Sequence, residues 1–299
     1  MLIANPIYDA VFKYMMKDNK VAKLLLSAII GKNIVNLDLR STEVQTDKPI
    51  PVLRIDFVAK IKDDTGAEML VILEVQKAKL PTDINRFRQY LGIQYSSVEN
   101  LSEVNEPTVK YGKPLPIISI YFLGYPLDYI KAPVIKVARQ YTDVTTGKII
   151  KEKEEFIECL THDSFIIQIR YLSQNRRTEL LRVLSIFDQS NLEKDHHILN
   201  VAEENFPEIY RPVIRRLQRA ISEKTVRDIM TLEDTEIAYY YQMQRDIADK
   251  SKLIQEKNKT IEEKDKALEE KDKTIDEKDK TIDEKDNLIA KLQEQLRKK

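Results

Sequence analysis

The chain has few of the residues that mark secreted or membrane-embedded proteins. Cys159 is the one cysteine among 299 residues, which excludes an intrachain disulfide framework and a cysteine-rich zinc site and favours a reducing, intracellular compartment. No stretch approaches the roughly 20 consecutive apolar residues that a membrane-spanning helix needs. The opening "MLIANPIYDAVFKYMMKDNK" lacks the pattern of a signal peptide. These absences predict a soluble, cytoplasmic protein with no membrane partner.

An excess of charge of one sign is also missing. The chain carries 49 Lys+Arg and 49 Asp+Glu, so no global basic surplus indicates nucleic-acid binding, and such a surface has to be a local patch. Only six glycines occur, which leaves little room for a glycine-rich phosphate loop. Any binding to nucleic acid is therefore expected to depend on a few residues placed by the fold.

Hydrophobic periodicity predicts a mixed α/β fold. The segments "VLRIDFVAKI" (52–61) and "MLVILEVQK" (69–77) flank a turn with Gly66 and predict a β-hairpin. The run "LPIISIYFLGY" (115–125) predicts a strand in the middle of a sheet that is covered on both faces. Helical spacing in "PIYDAVFKYMM" and "DINRFRQYLGIQYSSVENL" predicts amphipathic helices beside that sheet.

Two later segments also have predicted structures. "VIKVARQYTDVTTGKIIKE" predicts a second strand pair with a turn at Thr146–Gly147. From about residue 163 onward, beginning with "SFIIQIRYLSQ", the pattern predicts helices. The predicted organisation is an α/β domain at 1–190, a helical extension at 191–245 and a charged heptad-repeat helix at 246–299.

The last fifty residues repeat every seven residues, as in "KTIEEKDKALEEKDKTIDEKDKTIDEKD". One apolar column follows this period: Ile254, Ile261, Leu268, Ile275, Ile282, Ile289 and Leu296. A strict seven-residue period favours a left-handed coiled coil and thus a homo-oligomer. The neighbouring column is charged until Leu292, however, so a solvated single helix held by Glu/Asp–Lys pairs remains an alternative.

Two carboxylates interrupt the apolar strands of the predicted hairpin. Asp56 and Glu74 fall on matching positions of the two strands, and Gln76 shares a face with Glu74. Buried carboxylates repel each other and are costly to desolvate, so a cation is expected between them. Together with the backbone carbonyl of Val75 they offer only oxygen, which suits Mg²⁺ or Mn²⁺. Alternatively, each carboxylate pairs with an Arg or Lys and only holds the sheet together.

The order of these motifs resembles the PD-(D/E)XK nuclease superfamily. The closer resemblance is to its transposase-associated branch, the recombination-promoting nuclease and putative transposase proteins. The match lies in "IYDAVFK" (7–13), "RIDFVAKIKDDTGAEMLVILEVQ" (54–76), Arg86 with Tyr90, and "YGKPLPIISIYFLGY" (111–125). The resemblance implies a restriction-endonuclease-like mixed sheet flanked by helices and a Mg²⁺-dependent DNA endonuclease.

The resemblance also implies roles for single residues. Gln76 occupies the position at which the superfamily usually has lysine, and it is expected to orient the attacking water. The missing positive charge is then assigned to Lys77, which needs a bulge to reach the carboxylate face, or to Lys60 or Lys13. Asp9 is a further candidate metal ligand.

The same resemblance points to nucleic-acid contacts at Arg86, Lys13 and Tyr90. Arg86 is expected to meet a phosphate oxygen, or alternatively to act as a partner of Glu74.

Two functions from different classes follow from the residues and the resemblance. One is a metal-dependent DNA endonuclease of transposition or recombination. The other is a catalytically inactive nuclease-fold protein that binds nucleic acid or self-associates through its heptads. The adjacent residues His196 and His197 are expected to point in different directions and to make a poor metal pair.

Overall fold

The computed structural model describes residues 1–40, 53–62, 66, 68–78, 84–97, 101–102, 113–174 and 177–297. The chain divides into two compact units, Met1–Glu236 and Ile237–Lys299, whereas the sequence predicted boundaries at 190 and 245. The first unit is mixed α/β, which confirms the predicted fold class at that level. Among the described helices, none combines the length and the apolar character that a membrane span requires.

The helices are α1 (Asp9–Met16), α2 (Asn19–Ile30), α3 (Ile84–Ser96), α4 (Glu155–Leu160), α5 (Glu179–Leu184), α6 (Arg211–Ala220) and α7 (Lys224–Arg297). The strands are β1 (Leu2–Ala4), β2 (Ile34–Leu39), β3 (Leu53–Lys62), β4 (Glu68–Ala78), β5 (Leu101–Ser102), β6 (Lys113–Pro114), β7 (Ile117–Leu123), β8 (Val134–Val137), β9 (Tyr141–Thr142), β10 (Ile149–Ile150), β11 (Asp163–Gln168) and β12 (Ile198–Asn200).

A six-stranded mixed sheet forms the centre of the first unit, in the order β2-β3-β4-β7-β11-β8. Strands β2, β3 and β4 are antiparallel neighbours. Strand β7 runs parallel to both β4 and β11, and β8 closes the sheet antiparallel to β11. The predicted hairpin is thereby confirmed as β3–β4, and the predicted apolar strand is confirmed as β7 between two parallel neighbours.

The segment that begins at Asp163 was predicted to be helical, and this was wrong. Asp163–Gln168 forms β11, a strand of the central sheet. Phe165 and Ile167 are buried on the α1–α2 side and Ile166 packs on the opposite side, so the side chains alternate between the two faces as in a strand. A six-residue segment is too short for periodicity alone to separate strand from helix.

The predicted second strand pair is divided between two sheets. Strand β8 joins the central sheet beside β11, while β9 and β10 pair with each other. Between β9 and β10 the predicted turn is present, because Gly147 has a φ of 71° and its amide donates to the Asp143 carbonyl at 2.7 Å. A positive φ of this size is tolerated best by glycine.

Helices cover the sheet on both faces. Phe12 of α1 and Leu25 of α2 lie in the large core cluster with Phe57, Val75 and Phe122 of the sheet. On the opposite face, side chains of α3 pack on the sheet, for example Phe87 against Leu123 and Leu91 against Ile72. Because the strands between them are buried on both sides, polar residues within these strands are exceptional.

The region after residue 190 completes the first unit. Strand β12 pairs with β1 at the N-terminus, and α6 contacts both β1 and α1. Ile214 and Leu217 of α6 are fully buried in the large core. Residues from both ends of the unit therefore fold together around one core.

Candidate active site

The β3–β4 hairpin places Asp56 directly opposite Glu74. The antiparallel register continues without a shift along the whole pairing, and these two residues are Cα partners within it. Directly opposed residues of antiparallel strands share a face, with Cβ atoms about 5 Å apart. The side chains of Asp56 and Glu74 lie outside the described residues, so the register alone gives their place.

Positions 56 and 74 belong to the face of the sheet that α3 covers. Their chain neighbours Ile55 and Val75 are buried in the large core on the α1–α2 side. Because strand residues alternate between faces, positions 56 and 74 fall on the other side. On that side Ile72 packs with Leu91 of α3. The two acidic positions thus lie between the sheet and a helix.

Two buried polar residues flank the acidic positions on the same face. Gln76 is 0% exposed. Ser119 of β7 is the register partner of Glu74, and it is also 0% exposed. The Ser119 hydroxyl oxygen has no hydrogen-bond partner among the described residues, although buried hydroxyls are usually paired. This face of the sheet therefore concentrates polar groups in an otherwise apolar interior.

Ser119 was not predicted as a site residue. The available signal was its place as the one serine in the apolar run "IISIYFL". Val75, whose carbonyl was predicted as a metal ligand, has strands on both sides, with Ile55 and Ile120 as register partners. A carbonyl oxygen has two lone pairs, so a sheet hydrogen bond does not exclude a second contact, and this role stays a prediction.

Lys77 lies on the opposite face of the sheet from Glu74. Its ammonium group is 2.5 Å from Asp9 Oδ1, donates to the carbonyl of Ile7 and lies 5.9 Å from the centroid of the Phe12 ring. Strand β4 has no bulge in its pairing with β3, so the rearrangement that would turn Lys77 toward the acidic positions does not occur.

Asp9 occupies the first turn of α1, where it is the ion partner of Lys77. The helix N-terminus around it is capped from α7, because the Glu233 carboxylate accepts from the amides of Asp9 and Ala10 at 2.9 and 2.8 Å. Carboxylates at this end of a helix are favoured by its dipole. The structure thus places Asp9 and Lys77 together, on the far side of the sheet from positions 56 and 74.

The remaining predicted candidates lie in three places. Lys60 is 3.5 Å from Glu68, and both side chains are 44% exposed. Lys13 belongs to α1, on the side of the sheet away from the acidic positions. Tyr90 is buried in α3, and the Arg86 side chain lies outside the described residues. Only Tyr90 and Arg86 therefore belong to the helix that covers the acidic positions.

A second polar cluster joins two histidines to α7. His196 Nε2 and His197 Nε2 lie 2.9 and 2.7 Å from the same Asp234 oxygen, Oδ2, and the two rings are 4.5 Å apart. The prediction that these adjacent histidines diverge was wrong. They lie in a turn before β12 rather than in a strand, so neighbouring side chains need not alternate.

Tyr8 completes this cluster by donating its hydroxyl to Asp234 Oδ1 at 2.8 Å. Burial raises the pKa of Tyr8, and the hydrogen bond to Asp234 raises it further. Burial also acts to raise the pKa of Asp234, but hydrogen bonds from His196, Tyr8 and His197 outweigh it and hold that pKa below its usual value. Asp234 is therefore ionised at neutral pH.

The first unit thus contains two polar sites. The register of β3–β4 gives the place of the first, and side-chain contacts around Asp234 define the second. Comparison of the chain with protein-family models, with curated proteins and with solved structures gave no match.

Proposed function

We propose that the first unit is a divalent-cation-dependent endonuclease that hydrolyses phosphodiester bonds of DNA in transposition or recombination. The observation that carries this proposal is the direct pairing of Asp56 with Glu74 across two interior strands. Opposed carboxylates repel each other and lose hydration, which a bound cation offsets. A mixed sheet between helices also accords with the restriction-endonuclease-like form of the PD-(D/E)XK fold.

The donor groups around these positions suit Mg²⁺ or Mn²⁺. Asp56, Glu74 and the Val75 carbonyl offer oxygen ligands alone, which hard dications prefer. The buried hydroxyl of Ser119 lies at the register position beside Glu74, so a further polar group is available there. A dication held by these groups supplies Lewis-acid chemistry, which promotes the ionisation of water and balances charge on the phosphate.

The chain's own side chains orient the reactants. The amide of Gln76 both donates and accepts hydrogen bonds but does not ionise, so it positions a water without removing its proton. We leave Lys77 out of the catalytic group in this proposal, because its ammonium group pairs with Asp9 on the opposite face of the sheet. We assign the phosphate contact to Arg86, whose helix covers the acidic positions, since a guanidinium binds phosphate through two parallel hydrogen bonds. Tyr90 of the same helix is buried, and its contact with nucleic acid stays a prediction.

The test is the cleavage of supercoiled plasmid by the full chain. We expect nicked or linear product with Mg²⁺ or Mn²⁺ and none with a chelator, because the opposed carboxylates need the cation. A gel mobility assay on the same samples reports DNA binding separately. Plasmid that is bound but stays supercoiled at every dication concentration would favour the alternative, an inactive nuclease fold that binds nucleic acid.

The second candidate function, self-association, is favoured by the heptad segment. In the second unit the apolar column is exposed to solvent. Ile261, Leu268 and Ile275 are each between 54% and 56% exposed. Apolar residues repeated every seven positions on one helix are typical of a coiled-coil seam. We propose that a second copy of the same segment covers this column.

Alanine at Ile261, Leu268 and Ile275 together should convert an oligomer into a monomer, because alanine keeps the helix but removes the seam. Multi-angle light scattering on the full chain measures the change. Alanine at Glu263, Glu270 and Glu277, two positions further along each heptad, is the matched control and should leave the oligomer intact. A wild-type chain that is monomeric across the micromolar range would contradict the coiled coil and support the solvated helix.

A further inference from the structure

The cluster at Asp234 has the composition of a transition-metal site. The imidazole nitrogens of His196 and His197 and a carboxylate oxygen of Asp234 all lie within 4.8 Å of one another. Two histidines and one carboxylate form a ligand set that Zn²⁺ uses in proteins. It differs from the oxygen-only set on the sheet, because imidazole favours Zn²⁺ and its neighbours over Mg²⁺.

The spacing of the donor atoms fits a single ion. Ligand atoms about 2.1 Å from a tetrahedral zinc lie about 3.4 Å from each other. At present His196 Nε2 and His197 Nε2 lie 2.9 and 2.7 Å from Asp234 Oδ2, which are hydrogen-bond distances. Widening these two separations by about 0.5 and 0.7 Å, with loss of the Nε2 protons, therefore converts the hydrogen-bonded cluster into a coordination shell.

Neighbouring groups prepare the donors for a metal. The Tyr8 hydroxyl donates to Asp234 Oδ1, and the other carboxylate oxygen, Oδ2, faces the two histidines. Asp195 Oδ1 lies 3.5 Å from His197 Nδ1, so a carboxylate is in place to attract the proton on Nδ1 once a metal takes the Nε2 lone pair. Such carboxylate–histidine pairs are the usual outer partners of zinc ligands.

The turn that carries the histidines is itself fixed. Asn5 donates its side-chain amide to the His196 carbonyl at 3.0 Å and its backbone amide to the His197 carbonyl at 2.8 Å. The His197 amide donates to Asp195 Oδ1 at 2.9 Å, which is an Asx-type turn. The two rings are therefore held on one side of the turn before any ion arrives.

We propose that His196, His197 and Asp234 bind one Zn²⁺ or a similar transition-metal dication, separately from the acidic positions of the sheet. The His196 side chain is 57% exposed, whereas those of His197 and Asp234 are 18% and 32% exposed. Solvent therefore reaches the ion from the His196 side, where water completes the coordination. The ion links the turn before β12 to α7, next to the Glu233 cap of α1.

Metal binding by the full chain tests this proposal. After treatment with a chelator, the protein is titrated with Co²⁺ and with Zn²⁺, and bound metal is counted by mass spectrometry after desalting. With excess Mg²⁺ present to fill the proposed nuclease centre, we expect one Co²⁺ or Zn²⁺ ion per chain, a visible absorption band for Co²⁺, and a rise of the melting temperature with Zn²⁺. Excess Mg²⁺ should not displace the ion, which separates this site from the proposed nuclease centre.

Single variants identify the ligands. His196→Ala changes an exposed residue, so it should fold normally while its affinity for Zn²⁺ falls at least 100-fold and the Zn²⁺-dependent rise in melting temperature disappears. His162→Ala is the matched control, because His162 is the remaining histidine and contacts Tyr95 instead. Tyr8→Phe removes only the outer hydrogen bond and should weaken binding by about tenfold. Equal Zn²⁺ binding by wild type and a His196→Ala/His197→Ala double variant would overturn the proposal, as would loss of binding in His162→Ala.

Discussion

Replacing Asp56 or Glu74 with alanine should lower the rate of dication-dependent plasmid cleavage by about 1,000-fold, the equivalent of about 4 kcal/mol of transition-state stabilisation. The expected loss is large because each carboxylate contributes to the same cation site. The fold should survive, since removing one of two directly opposed like charges relieves repulsion. Initial rates and melting temperatures measured on the same preparations give both quantities.

Asp38→Ala is the matched control for these variants. Asp38 is an exposed carboxylate on β2, in the same sheet, and its hydrogen-bond partner is Asn36. Its removal should change neither the cleavage rate nor the melting temperature by a measurable amount. If instead Asp56→Ala or Glu74→Ala cleaves normally and melts at a lower temperature, the two carboxylates are structural ion-pair partners and the nuclease proposal fails.

Removing Asp9 should destabilise the first unit by about 3 kcal/mol, because it leaves the Lys77 ammonium buried without its counter-ion. The Lys77 side chain is only 1% exposed and that of Asp9 is 17% exposed. Denaturant unfolding followed by the near-UV signal of tyrosine measures the change, since the heptad segment after Tyr241 contains no aromatic residue. The double variant Asp9→Ala/Lys77→Met should lose less stability than the two single variants added together.

The exposed pair Lys60–Glu68 on the same hairpin provides the control. Both of its side chains are 44% exposed, and exposed ion pairs contribute about 0–1 kcal/mol. Lys60→Met should therefore have a small effect on unfolding. Additive effects of the Asp9 and Lys77 variants would contradict the coupling between them. If Lys77→Met instead lowers the cleavage rate without any loss of stability, Lys77 takes part in catalysis.

The parts of the fold set by local alternation were predictable. The hairpin and β7 each combine apolar alternation or a continuous apolar run with clear turn signals, and both are present. Strand β11 was missed because six residues of "DSFIIQ" fit either period. The extent of the first unit has no comparable local signal in the sequence. It depends on the pairing of Leu2–Ala4 with Ile198–Asn200, and nothing local indicates a contact between residues so far apart in sequence.

In the candidate sites, too, local sequence predicts some features, whereas contacts between distant residues decide others. The opposition of Asp56 and Glu74 follows from counting residues across the β3–β4 hairpin, which the sequence permits. The position of the Lys77 ammonium group depends on Ile7 and Asp9, about 70 residues away in sequence, and on the absence of a bulge in the pairing of β4 with β3. The convergence of His196 and His197 depends on Asn5, Asp195 and the start of α7, so the rule of alternating neighbours did not apply.

Crystallography of the full chain with Mn²⁺ is the decisive test of a cation site between Asp56 and Glu74, because manganese gives an anomalous signal that locates the ion. We expect a peak between positions 56 and 74 of the β3–β4 hairpin, and we expect it to be lost in Asp56→Ala. Saturating Mn²⁺ with no peak at these positions, or with an Arg or Lys side chain between the two carboxylates, would contradict it.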